Sequence, residues 1–314
     1  MDIRLAGGRE RRLSRVVPGR ALAVVMAAMM LVPCAPIAFA QTSPEQQDQS
    51  TESFQRSFPM NAGGTLAVEN LKGAIRVTGS DTNQVTVNVH KIFTGGSERD
   101  REWWMAETKV TFDNTPNRLN VRVEYPTWNC VFCANIRDGV ELTIAVPRAM
   151  NIELDGNKPD MAISSIDGNI RVSSRKSSIA IRSTNGAIRI DTTKGDVRLS
   201  DVAIKGRLDL TSTKADAMIG AKSIEGDVDL QTERGSIVVR MPSTVGVNLD
   251  YVGGRRANFH CEFPVTTNEN GAELKDVSGR VGRRSAHIEG AINRGGARMT
   301  VRTERGSISL EKAP

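Results

Sequence analysis

Along most of the chain, two apolar residues flank a single variable one, and these short units recur at steady intervals. They begin with Leu66-Ala67-Val68 and Ile75-Arg76-Val77 and become regular from Ile152-Glu153-Leu154. From there the central residues fall at 162, 171, 180, 189, 198, 209, 218, 229, 238 and 248, in steps of nine to eleven. Alternation with period two specifies strands, and even spacing specifies a repeat architecture. The pattern returns at the end with Met299-Thr300-Val301 and Ile308-Ser309-Leu310.

Strands this short cannot hold a sheet alone. Stacking each unit on its counterpart one turn later closes the backbone hydrogen bonds and buries the flanking apolar pair between two facing sheets. The expected fold is all-β, a parallel β-solenoid with roughly two strands per 18–20-residue turn. Alternate centres then form two outward ladders. One is Glu153, Arg171, Arg189, Asp209, Asp229, Asn248; the other is Ala162, Ala180, Arg198, Met218, Val238. Arg189 and Asp209 become neighbours at a strand spacing of about 4.8 Å, a favourable opposite-charge pair. Met218 and Val238 turn the second ladder apolar, which predicts cover from the carboxy-terminal segment. Gly168, Gly186, Gly195, Gly206 and Gly226 fall at the corners, where positive φ is expected.

Residues 58–150 interrupt the repeat. Val85–Lys91, Lys109–Phe112, Leu119–Tyr125 and Val140–Val146 alternate as strands. Between the first two, Ser97–Thr108 reads as a short helix with Ser97 as N-cap and Asp100 as its capping partner. A β-rich amino-terminal part over 58–150 and solenoid repeats with a cap over 151–314 are therefore expected.

The start of the chain is different. A basic stretch ends at Arg20, an apolar run covers Ala21–Val32, and Ala38-Phe39-Ala40 precedes Gln41. These are the parts of a secretory signal peptide over 1–40, and the polar stretch 41–57 reads as a disordered linker. Ala21–Ala40 is just long enough to span a membrane, so membrane contact is expected only through this segment if it is not cleaved. Export to the periplasm or cell surface follows. The net charge of +6 also belongs to this segment: without its six Arg and two acids, 36 basic and 34 acidic residues remain, a net charge of +2. A nucleic-acid partner gains no support from that balance.

Candidate chemistry is sparse. Cys130 and Cys133 form a C-x-x-C in WNCVFCAN, and in an exported protein a disulfide between them is the first choice. A redox role needs a helix N-terminus after the motif, and no helical pattern follows. A zinc site from Cys130, Cys133, His260 and Cys261 has suitable ligands, but adjacent strand residues point to opposite faces. Trp103, Trp104 and Trp128 fall in the insertion with Tyr125 and Phe132, whereas Asn151–Asp250 contains no Phe, Tyr or Trp. They form either a ligand surface, such as a sugar platform, or the packing of a helix on a sheet, and packing is favoured. Asp191, Asp196, Asp209, Asp227 and Asp229 lack a calcium pattern. No G-x-S-x-G, H-E-x-x-H or phosphate loop accompanies His90, His260 or His287, so no catalytic residue, metal or cofactor is expected.

The opening GGTLAVENLKGAIRVTGSDTNQVTVNV, then VELTIAVPRAMNIEL, the G-x-I/V-x-I/L run and the closing RGGARMTVRTERGSISLEK occur in a fixed order. In this the chain resembles a family of exported bacterial β-solenoid proteins carrying an adhesin-type domain of unknown function, over Gly64 to Leu310. The resemblance implies an extracytoplasmic solenoid with an envelope or adhesion role and brings no catalytic residues. The expected function is a non-catalytic envelope protein, an adhesin or scaffold for an envelope polymer or protein partner. The alternatives are a polysaccharide lyase or hydrolase built on a β-helix, and a regulatory partner in envelope-stress signalling.

Overall fold

The alternating units form strands that stack in parallel, coil upon coil. The computed structural model describes residues 49–127, 135–267, 273–274, 277–280 and 286–313. The expected signal peptide, Trp128, Cys130 and Cys133 lie outside the described residues. The amino-terminal part has β1 (Gln49–Pro59), β2 (Thr65–Glu69), β3 (Gly73–Ser80), β4 (Gln84–Thr94), α1 (Glu98–Glu107), β5 (Lys109–Thr115), β6 (Arg118–Glu124) and β7 (Arg137–Pro147). The repeats give β8 (Asn151–Gly156), β9 (Asp160–Ser164), β10 (Ile170–Lys176), β11 (Ile179–Arg182), β12 (Ile188–Ile204), β13 (Leu208–Ile224), β14 (Val228–Thr232) and β15 (Ser236–Met241). After them come β16 (Val247–Gly253), β17 (Asn258–Cys261), β18 (Val265–Thr267), β19 (Glu273–Leu274), β20 (Val277–Arg280), β21 (Ala286–Ile292), β22 (Ala297–Thr303) and β23 (Ser307–Lys312).

Two parallel ladders result, with two strands per turn. The first runs β6, β2, β8, β10, β12, β13, β14, β22, β16. The second runs β7, β3, β9, β11, β12, β13, β15, β23, β17, because β12 and β13 bend through the corner and serve both. Inward Ile, Val and Leu from the two ladders form one continuous core. Each such fully buried side chain contributes about 1.5–3 kcal/mol. At one corner the inward column changes to hydroxyls: Ser174, Thr192, Ser212, Thr232 and Thr303 stack in register. Ser212 donates to Thr232 (3.0 Å), and Thr192 and Thr232 donate to the carbonyls of Lys194 and Arg234. Antiparallel strands close both ends: β5, β4 and β1 at one, β21, β20 and β18 at the other. The edges of the parallel ladders are thereby capped by antiparallel strands.

Four expectations need correction. Residues 49–57 are not linker but most of β1, which pairs with β4 along its whole length. Phe54 and Phe58 pack there on Phe112, with ring centroids 6.4 and 5.4 Å apart. As an edge strand β1 turns only Phe54 and Phe58 toward the core, so its composition looks like a tether.

The coil order also departs from sequence order at both ends. The β2–β3 coil lies between β6–β7 and β8–β9, and the β22–β23 coil lies between β14–β15 and β16–β17. Asp229 therefore neighbours Thr300, not Asn248. Alternation fixes which side of a strand is buried but not which coil is its neighbour.

The corner glycines mostly serve a different purpose. Gly195 has φ +118°, but Gly168, Gly186, Gly206 and Gly226 are not in the positive-φ region. Ser165, Ser183 and Asp201 take the positive φ at that corner instead. A Cβ on Gly226 would stand 1.6 Å from the Gly206 carbonyl oxygen of the coil beneath. Close stacking, not turn geometry, requires the glycine.

Finally, the carboxy-terminal segment extends the second ladder rather than covering it. Met218 and Val238 are register partners, but Met218 remains 36% exposed, touched by the Arg240 guanidinium at 3.8 Å.

Candidate ligand-binding faces

The insertion contains the residues expected as a ligand surface. Helix α1 begins with the predicted capping box, Ser97 and Asp100 each satisfying the other's backbone N–H. The helix presses Trp104 into the core beside Phe93 and Tyr125. Trp104 Nε1 donates to Asp138 (2.8 Å), which also holds Lys72. The Tyr125 hydroxyl lies 2.6 Å from Asn70 Oδ1 and accepts from Val140 N–H, and burial pushes its pKa up. Trp104 is thus a packing residue, 1% exposed, and cannot present its ring to a ligand; Trp103, at 42%, stays at the surface.

The outward face of the first ladder is strongly charged. Arg118 meets Glu153 (2.6 Å) and Arg122 meets Glu69 (2.8 Å) across the coils. Arg189 and Asp209 are register partners as predicted, but each binds a residue of its own strand side. Arg189 turns to Asp191 (3.1 Å), and Asp209 takes Arg207 (2.5 Å), which also reaches Asp229 (3.4 Å). Further on, Asp250 accepts from Arg298 and His287, both at 3.2 Å. Burial pushes the Asp250 carboxyl up, but these two bonds and charges outweigh it and hold the pKa below the usual value. A groove of about 580 Å³ opens where β5 overhangs this face, lined by Glu69, Asp155, Arg118, Arg122, Glu153 and Arg171 among others. The acids of the face are spread along the coils, most of them held by arginines.

The second face is plainer: Ala162, Ala180, Arg198, Met218 and Val238 follow one another, then Ser309 and His260. Cys261 is a buried free thiol pushed up to about 11 by burial, while His260 points the other way. The described residues contain no group of three or more His, Cys, Asp or Glu able to hold a metal. Across β1, β4 and β7, Ser53, His90 and Glu141 lie in one row, with Ser53 Oγ 2.6 Å from His90 Nδ1. Glu141 is taken by Arg76 (3.2 Å), and among the described residues no hydrogen bond joins His90 to Glu141.

Residues 65–311 match the pattern of the Toastrack DUF4097 family. The chain belongs to the Toastrack family. The Toastrack stretch runs from β2 into β23 and coincides with the span of the adhesin-type resemblance. No curated protein matches the chain. Among solved structures it is similar to a putative cell adhesion protein from Clostridium sporogenes, at 11% identity over 84% of this chain and 100% of that one, TM-score 0.33. A putative adhesin from Bacteroides fragilis is 12% identical over 83% and 97%, TM-score 0.34. A putative lipid binding protein from Parabacteroides distasonis is 10% identical over 83% and 97%, TM-score 0.29.

Proposed function

We propose that this Toastrack protein is a non-catalytic, exported component of the cell envelope, an adhesin or scaffold at the periplasm or cell surface. It presents the outer faces of its coils to an envelope polymer or protein partner. The observation that carries this reading is the distribution of carboxylates on the first ladder. A hydrolytic pair needs two carboxylates converging on one bond, about 5–10 Å apart with distinct protonation. Here Glu153, Glu69, Asp191, Asp209, Asp229 and Asp250 each meet an arginine, and they follow one another along the coils.

A polysaccharide-cleaving enzyme draws support from one feature, the register pair Glu69 and Asp155 in the groove beside β5. Glu69 of that pair is already bound by Arg122 at 2.8 Å. Co-sedimentation of the purified protein with isolated envelopes, with released reducing sugar assayed in the same tubes, separates the two. Binding without sugar release is expected. Sugar release would overturn the non-catalytic reading, and absence of binding would overturn the envelope role.

A further inference from the structure

One corner of the coil carries a basic residue on seven successive turns. Backbone pairing places Lys176 beside Lys194, and Lys194 beside Lys214. The hydrogen bonds from Lys176 N–H to Asn157 O, Arg234 N–H to Thr213 O and Arg305 N–H to Glu233 O extend the column to Lys158, Arg234 and Arg305. Gly253 pairs with Thr303, which brings Arg255 beside Arg305. In axial order the column is Lys158, Lys176, Lys194, Lys214, Arg234, Arg305, Arg255, and all seven are exposed. At about 4.8 Å per strand it is about 29 Å long.

Among the described residues, none of the seven has a carboxylate at ion-pair distance, whereas Arg118, Arg122, Arg189, Arg207 and Arg298 on the first face do. Lys72 holds the same corner one coil earlier and is tied to Asp138. Like charges on opposed strand positions destabilise a sheet. An unneutralised column over seven coils therefore works against the fold that carries it. Neighbouring acids do not cancel it: with Arg175 and Arg256, nine cations stand against Asp160, Asp196, Asp216, Glu233 and Glu304. Of these, Asp216 is engaged by the Ser236 N–H. Beneath the corner, the hydroxyl column bonded to the Lys194 and Arg234 carbonyls keeps the spacing regular.

We infer that this corner binds a linear acidic polysaccharide, a glycan with carboxylates recurring along its chain. The inference rests on the envelope-binding reading and names its ligand class. One cation per coil over several coils matches a polymer that repeats its charge with each extended sugar unit. Single-stranded nucleic acid fits less well, because Asn151–Asp250 offers no aromatic ring on which bases would stack.

The test measures affinity of the whole protein for polygalacturonate, neutral dextran, polyphosphate and single-stranded DNA. It compares the wild type with K176E/K194E/K214E and with a control, R56E/R99E/K109E, that reverses three exposed cations elsewhere. Polygalacturonate is expected to bind with strong salt dependence and dextran not to bind. The K176E/K194E/K214E variant is expected to lose on the order of a hundredfold in affinity and the control much less. Circular dichroism checks that both variants keep the sheet. Equal affinity of wild type and spine variant, failure of the wild type to bind polygalacturonate, or tighter binding to DNA or polyphosphate would each overturn the assignment. If the spine variant still co-sediments with envelopes as the wild type does, the envelope role stands and the acidic-glycan corner fails.

Discussion

Substituting Gly226 by Ala tests the stacking of the coils with a single methyl group. The backbone there is not in the positive-φ region, so alanine meets no conformational barrier. The obstacle is the coil beneath, because the new Cβ would lie 1.6 Å from the Gly206 carbonyl oxygen and 2.5 Å from its carbon. Backbone cannot rotate away as a side chain would, so the two coils must part locally. Overpacking of this kind costs about 1–3 kcal/mol. Parting the coils also strains the bonds from Glu225 and Gly226 N–H to the Ile204 carbonyl, 2.8 and 3.0 Å long. With each such bond worth about 1 kcal/mol, the total is roughly 3–5 kcal/mol. At about 2–4 °C per kcal/mol for a domain of this size, the melting temperature falls by about 10 °C. Gly220→Ala is the control, since its nearest foreign atom, the Leu199 carbonyl oxygen, is 3.4 Å away. It is expected to be neutral or to stabilise by about 0.4–1 kcal/mol. Thermal unfolding followed by far-ultraviolet circular dichroism reads both. Equal melting temperatures for the two variants would refute the close stacking of this corner.

Three other outcomes follow from the geometry. The Asp250 pKa is depressed in the fold, so its contribution is complete above the ordinary value of 3.8 and is lost as pH falls through the folded value; urea midpoints of wild type and Asp250→Asn should converge under strong acid and differ at neutral pH. Cys261 is buried and its thiol is pushed up to about 11, so at pH 8 it should resist a thiol reagent in the native protein and react once unfolded, as peptide mass spectrometry would show. Ser97→Ala removes the cap of α1 and should cost about 1 kcal/mol, measured by urea unfolding with tryptophan fluorescence; an unchanged midpoint would mean that the helix is held by Trp104 alone.

The coil was legible because its strands alternate strictly and recur at nine to eleven residues. That pattern yields the two ladders and even the Arg189–Asp209 register. The helix was legible because Ser97 and Asp100 have the spacing that mutual capping requires. Three features were not. Strand β1 lacks a continuous apolar stripe because it is an edge strand on which only Phe54 and Phe58 turn toward the core. The insertion of β22–β23 between older coils leaves no local trace, since every coil presents the same inward pattern. The corner glycines were assigned to turn conformation, although most answer to the carbonyl of the coil below. The basic column was present as Lys158, Lys176, Lys194, Lys214 and Arg234, in steps of 18 to 20. It escapes a reading centred on strand midpoints because it sits at a corner.

The central functional claim is that the protein works by binding along its coils and not by turnover in a cleft. Hydrogen exchange of the protein bound to isolated envelopes, with sugar release assayed in the same samples, tests it most directly. The expected result is slowed exchange along one continuous line of coils that includes the corner at Lys176, Lys194 and Lys214, with no sugar released. Slowed exchange confined to the groove beside β5, accompanied by release of reducing sugar, would contradict it.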